Sequence, residues 1–514
     1  MAGIGIILYP RELACNFHIE LSMKVLMVAP EVVPLSKVGG LADVAGALPL
    51  ELTRMGHDVR VVCPKFGFMK PKPDWIAHER PLNVYMGRDI RFAKVWETRL
   101  PDGRSPVYCI EYNEYFDVPT VYASGYLDYE REGYRFAFFS RASLDLCNYL
   151  DWIPDIIHCH DWTTGLVPVH LNSRELNQPL GKAASVLTIH NLQFQGIYTS
   201  DILEFSGLPR SLFRADGLEC YGRVNYLKGG IYHSQKVTTV SPNYAREIQT
   251  PEQGFGLQST LRFKASDLLG VVNGVDTVAW DPNTDPKLPM PFSADKMEGK
   301  AACKALLQQE MGLEQDPGRP LFVVISRLFE QKGLDVLMHA APKVLEAMHV
   351  QFAVIGTGEP DLEYGFSELA RRFPGRFATH IGYNDRLAHL LYGGGDCIVM
   401  PSRFEPCGLS QLYGMRYGTV PLVRSTGGLV DTVEQYDEAT GEGTGFRFEH
   451  LNPEALYYTI GWACATYYDR PHHFELLRQN GMRRDFSWAE PAKRYEDIYR
   501  WAYQARNGRG SVIK

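Results

Sequence analysis

Residues 24–64 read KVLMVAPEVVPLSKVGGLADVAGALPLELTRMGHDVRVVCP. KVLMVAP (24–30) is an almost continuous apolar run, the pattern of a strand buried on both faces. Leu41, Val44, Ala45, Leu48 and Leu52 then recur at helical spacing, and RVVCP (60–64) is a second apolar run. Together they predict a β-α-β unit. Between the first strand and the helix lies SKVGGLADV (36–44), with Lys37 two residues before the pair Gly39-Gly40. Alone, this loop is equally a tight turn into a helix and a loop that brings backbone N–H groups and a cation to an anion.

The same alternation continues along the chain. DIIHCH (155–160), SVLTIHN (185–191) and KVTTVS (236–241) read as further strands. The pattern restarts after LLGVVNGVD (268–276) with LFVVISRL (321–328), FAVIGTG (352–358), FATHIGY (377–383) and CIVMPS (397–402), each followed by an amphipathic segment. Alternating strands and helices in both halves predict an α/β fold of two doubly wound, Rossmann-like parallel sheets facing across a cleft. The expected divisions are an extension over 1–22, a first domain over 23–271 and a second over 272–487. A final helix over 488–506 is expected to pack back on the first domain.

Composition narrows the function. A chain of 514 residues is too long for one hydrophobic core. A net charge of −7 disfavours nucleic acid as a partner, and no apolar run is long enough to cross a membrane. Ten cysteines with no C-x-x-C pair fit a reduced cytosol better than a disulfide framework. His158-Cys159-His160 resembles a metal trio, but neighbours on a strand point to opposite faces. It reads as core histidines around a buried cysteine, and no metal site is expected. Residues 1–22 lack the basic start and cleavage site of a signal peptide.

Polar groups cluster just beyond the expected strands, where such sheets bind ligands. They are Glu31 and the 36–44 loop, Asp161-Trp162, His190-Asn191, Ser326-Arg327, Gln331-Lys332-Gly333, PSRFEPCGLSQ (401–411) and VRSTGGLVDTV (423–433). Three of these segments join a strand end to glycines at a helix start, which presents unpaired N–H groups. Arg327 and Lys332 add full cations, a set suited to a diphosphate leaving group. GTGEPD (356–361) lacks the third glycine of a dinucleotide fingerprint, GEGTG (441–445) reads as a loop, and no P-loop or D-x-D sequence is present.

In one order, the chain carries KVGGLADV, HCHDWTTGL, THNLQFQGIY, VTTVSPNYAREIQTPEQGFGLQSTLR, VNGVD, SRLFEQKGLDVL and PSRFEPCGLSQLYGMRYGTVPLVRSTGGLVDTV. With these it resembles the bacterial glycogen synthase and plant starch synthase family over nearly all of residues 23–505. The resemblance implies a retaining glucosyltransferase of the GT-B fold, its first domain on the acceptor side and its second binding the donor. ADP-glucose and an α-1,4-glucan are the implied substrates, with no cofactor. It places Lys37, Gly39 and Gly40 beside the donor, and gives Arg327 and Lys332 the departing ADP. Glu405 takes the sugar hydroxyls, Cys407, Gly408 and Leu409 line the glucose, and Thr426 and Gly427 form a second phosphate turn. His190 lies near the reactive carbon and Tyr383 stacks on adenine. Asn273 lies at the hinge, and Glu31, Asp43, Asp161 and Asn191 in the sugar and acceptor cleft.

Tyr413 stands eight residues past Glu405, where many GT-B relatives carry a second glutamate; this pattern resembles the glycogen and starch synthases. Thr163 replaces a frequent histidine, Ser410 a threonine, and Gly393-Gly394-Gly395 an alanine-containing turn, which should loosen that loop. A UDP-glucose-dependent enzyme and a degenerate glucan-binding protein are the rival readings. Only 22 residues precede the fold, which favours a bacterial-type cytosolic enzyme over a mature plastid form.

Overall fold

The computed structural model describes residues 22–122, 128–508 and 511; residues 1–21 of the expected extension lie outside them. Seven parallel strands build the first sheet: β1 (Lys24–Val28), β2 (Asp58–Pro64), β3 (Pro106–Glu111), β4 (Ile156–His160), β5 (Ala184–Ile189), β6 (Lys236–Thr239) and β7 (Leu268–Gly270). Their spatial order is β7-β6-β5-β4-β1-β2-β3. The chain runs outward from β1 to β3, then returns to the other side of β1 at β4. The order therefore reverses between β1 and β4, and the loops beyond their carboxyl ends flank a crevice. Those loops carry SKVGGLADV and Asp161.

The second sheet is β8 (Leu321–Ile325), β9 (Gln351–Gly356), β10 (Phe377–Ile381), β11 (Cys397–Met400), β12 (Val420–Arg424) and β13 (Phe446–Phe448). It is wholly parallel, in the order β10-β9-β8-β11-β12-β13. Its reversal lies between β8 and β11, beside Ser326-Arg327 and the 401–409 loop.

The first sheet also has an antiparallel edge that the parallel expectation lacks. Strand Asp89–Arg99 pairs antiparallel with β3, and Leu82–Met86 and Ile76–Ala77 pair antiparallel with it. Leu82, Val84 and Met86 are buried while Asn83 and Tyr85 are exposed, the period-two pattern of a strand with one wet face.

Two chain crossings join the domains side by side. The Val275 amide donates to the Phe486 carbonyl at 2.8 Å, and Gly274 lies against Trp488 so closely that a Cβ would sit 2.8 Å from its backbone. Beyond this crossing, helix Ala489–Asn507 buries Ala492, Tyr495, Ile498, Tyr499 and Ala502 in the core of the first domain. Tyr499 Oη shares a 2.8 Å hydrogen bond with His158 Nδ1, whose Nε2 meets Thr188 Oγ1 at 2.6 Å. His158 and His160 are fully buried with ring centroids 4.3 Å apart. The 158–160 stretch is thus interior packing. Among the described residues, no group of three His, Cys, Asp or Glu side chains is placed to hold a metal.

The glycine triple does not loosen its surroundings. Gly393 and Gly394 end helix Asp385–Gly394, which packs on helix Glu298–Glu310. A Cβ on Gly394 would lie 2.8 Å from the Cys303 carbonyl oxygen, and one on Gly393 2.9 Å from Leu288. The glycines permit a close helix–helix approach. Among the described residues, no helix is long and apolar enough to cross a membrane.

Candidate active site between the two sheets

The two crevices face each other across one cavity of about 960 Å³. The first domain contributes Glu31, Gly39, Gly40, Tyr122, Asp161, Trp162, His190 and Asn191. The second contributes Ser326, Arg327, Lys332, Glu405 and residues 406–410, and Asn273 also lines it.

On the first-domain wall, Glu31 is 2% exposed and accepts hydrogen bonds from the Val38 and Gly39 amides. Tyr122 Oη donates to its other oxygen at 3.2 Å. Burial raises the Glu31 pKa, and these bonds partly offset that. The two loop amides are therefore engaged by a carboxylate of their own domain. Gly40 has a different role: a Cβ there would approach Leu409 of the second domain to 3.3 Å. Lys37 is half-exposed and pairs with Asp43 at 2.7 Å; neither side chain lines the cavity.

Asp161 sits just beyond β4 at φ +57° and ψ −172°, a strained backbone that is almost confined to glycine. Its carboxylate accepts the His190 amide at 2.7 Å. Burial pushes its pKa up to about 7 despite that bond. His190 Nε2 and His160 Nδ1 share a hydrogen bond of 3.0 Å, and burial holds both imidazoles well below the usual pKa, hence neutral. Asn191 Oδ1 accepts the Gln193 amide at 3.0 Å, forming an Asx turn. The Asn273 side-chain oxygen is buried on the cavity wall without a hydrogen-bond partner among the described residues.

On the second-domain wall, Lys332 Nζ meets both oxygens of Glu405, at 2.9 and 2.7 Å, and Ser402 Oγ donates to one of them at 3.0 Å. Arg327 is exposed to the cavity and lies over the Phe329 ring at 5.5 Å; no carboxylate among the described residues pairs with it. Cys407 is buried and its thiol is pushed up to about 12, so it remains protonated. Gly408 adopts φ +75°, and Gln411 Nε2 donates to the Cys407 and Gly408 carbonyls at 3.0 and 2.9 Å. This fixes the backbone of 407–409 at the cavity surface.

Three expected donor residues lie off the cavity. Tyr383 is 85% exposed and only grazes Asp385, at 3.5 Å. Thr426 and Gly427 sit behind the 405–407 backbone, and the Gly427 amide donates to both oxygens of Glu247, each at 3.0 Å. Sequence reasoning did not single out Tyr122, Ser402, Glu247 or Phe255. Phe255 lies between two glycines at φ +46°, 37% exposed, with its ring 5.3 Å from Phe404 of the other domain. Gln195 Nε2 donates to its carbonyl at 2.8 Å.

Residues 24–263 match the starch synthase catalytic domain family, and residues 309–471 match glycosyl transferases group 1. Glycogen synthase 1 of Geobacter metallireducens is 43% identical over 493 residues, covering 95% of this chain and 97% of that one. The chain belongs to the glycogen and starch synthase family. It is accordingly a glycosyltransferase with the two-domain GT-B fold. Glycogen synthase of Treponema denticola is 40% identical over 93% of this chain and 98% of its own length. The catalytic domain of starch synthase IV from Arabidopsis thaliana, solved bound to ADP and acarbose, superposes with a TM-score of 0.87 at 34% identity, covering 94% of this chain and all of that one. Sucrose-phosphate synthase from Thermosynechococcus elongatus, at 16% identity and a TM-score of 0.58, shares the fold.

Proposed function

We propose that this family member transfers glucose from ADP-glucose to the non-reducing end of an α-1,4-glucan, with retention of configuration and without a metal, in the cytosol. The observation that carries the reading is the cavity-facing Arg327, without a carboxylate partner among the described residues, beside Lys332 and opposite Glu31, Asp161 and His190. A diphosphate leaving group supplies the missing counter-charge, and fixed cations stabilise the negative charge that grows as it departs. Lys332 already holds Glu405, so one ammonium ties the sugar-binding carboxylate to the phosphate end.

In the proposed reaction, the bond between C1 of glucose and the phosphate oxygen breaks, and its electron pair stays on ADP. The acceptor 4-hydroxyl bonds to C1 from the same face, and its proton passes to the departing phosphate. In this reading the His190 main-chain carbonyl stabilises the electron-poor C1, and Asp161 accepts the His190 and Asn191 amides on either side of it. The test is glucose incorporation into glycogen from ADP-glucose and UDP-glucose with a chelator present. Incorporation from ADP-glucose is expected to exceed that from UDP-glucose. A reversed preference, or dependence on a divalent ion, would overturn the assignment.

A further inference from the structure

The geometry points to Glu247 as a positioning residue that places the second domain's sugar-binding turn from across the cleft. Helix Pro242–Glu247 follows β6 of the first domain, and Ser241 Oγ caps it by accepting the Tyr244 amide at 2.8 Å. Asn243 and Glu247 on this helix face the second domain. The Glu247 carboxylate takes the Gly427 amide with both oxygens and lies 3.4 Å from Thr426 Oγ1. Asn243 donates its amide to Asp431 at 2.8 Å, and its side chain donates to the Gly427 carbonyl at 3.2 Å and to Glu247 at 2.8 Å.

The turn so held is locked to the reactive one. The Gly428 amide donates to the Glu405 carbonyl at 2.9 Å. Gly427 adopts φ +48°, and a Cβ there would lie 1.9 Å from the same carbonyl oxygen. With no free space between them, the turns at 426–428 and 405–407 move as one piece. A carboxylate on one domain therefore sets where Glu405 and Lys332 stand relative to Asp161 and His190 on the other. Charge-assisted bonds of this kind are stronger and more directional than neutral ones. The contact can form only when the domains stand as they do here, so it couples closure of the cleft to assembly of the site.

This inference rests on the glucosyl-transfer reading above. It is tested in the full chain with Glu247→Ala and Glu247→Gln, measuring kcat, KM for ADP-glucose and glucan, ADP affinity by calorimetry, thermal midpoint, and small-angle scattering with ADP. Misplacing a reacting group by about 1 Å costs about 100-fold, so kcat of E247A should fall by about that factor. KM and ADP affinity should stay within about threefold, the signature of an interaction made on the way to the transition state. E247Q, whose amide oxygen still accepts the Gly427 N–H, should recover most of the loss. With ADP, E247A should scatter as a more open particle than wild type. Unchanged kcat in E247A would overturn the proposal. So would ADP binding that tightens severalfold, because Glu247 would then merely occupy an anion seat. Equal loss in both variants together with a lower thermal midpoint would reduce the residue to a structural one. If the wild type transfers no glucose, the functional reading fails, and the scattering comparison still decides the brace.

Discussion

Replacing Asp161 by asparagine should stabilise the protein at alkaline pH and do little at acid pH. Burial lifts this carboxyl from 3.8 to about 7. The fold thus favours the neutral acid, while the unfolded chain ionises it above about pH 4. Between those values the unfolded state releases a proton that the folded state retains, so rising pH favours unfolding. The penalty is absent below about pH 4 and complete above about pH 7, where it is worth about 4 kcal/mol at most. Asparagine cannot ionise, yet its oxygen can still accept the His190 amide, and it meets the same backbone strain at φ +57°, ψ −172° as aspartate, so that strain cancels in the comparison. Urea unfolding of wild type and D161N at about pH 4.5, 6 and 8 should give a stability difference that starts at about 1 kcal/mol and grows to about 4 kcal/mol. A difference that is flat with pH, or a variant less stable at about pH 8, would refute the reasoning. Turnover should fall even as stability rises, because a residue retained at a cost to the fold serves the site.

Lys332→Ala should lower kcat by about 10²- to 10³-fold, the effect of removing one preorganised group at a developing anion, and leave glucan binding unchanged; near-normal turnover would count against its role. Tyr499→Phe strips the fully buried His158 Nδ1 of its partner and should lower stability by about 1–3 kcal/mol, read from the thermal midpoint, with little change in KM. Phe255→Gly removes a side chain from a strained backbone, so stability should change by no more than about 1 kcal/mol. Loss of an aromatic face from the cavity should raise glucan KM roughly fivefold; an unchanged KM would exclude the ring from sugar contact.

Much of the fold was legible because periodicity records burial. KVLMVAP and LFVVISRL are apolar on every residue that a doubly covered strand must bury, and both became strands at the centre of a sheet. The points where strand order reverses then put Glu31, Asp161, Arg327 and Glu405 on one cavity. The antiparallel edge was legible too, in the alternation of Leu82, Val84 and Met86, but a reading tuned to continuous apolar runs passes over period-two strands. Side-chain partners were not legible. Lys37 meets Asp43 six residues on, while the Gly427 amide takes a carboxylate 180 residues away in the other domain. No local pattern encodes such a choice, because it is made by the relative placement of two sheets. The glycine triple failed for a similar reason: in sequence it reads as freedom, and against Cys303 it is the condition for close contact.

The most direct test of the central claim is the structure of the first product. The chain is incubated with ADP-glucose labelled at C1 of glucose and maltotriose, with a chelator present, and the product is followed by NMR from the earliest turnover. The account predicts maltotetraose in which the labelled unit occupies the non-reducing end through an α-1,4 bond, with ADP released in equal amount. A β-linked unit, a label at another position, or no transfer from ADP-glucose would contradict it.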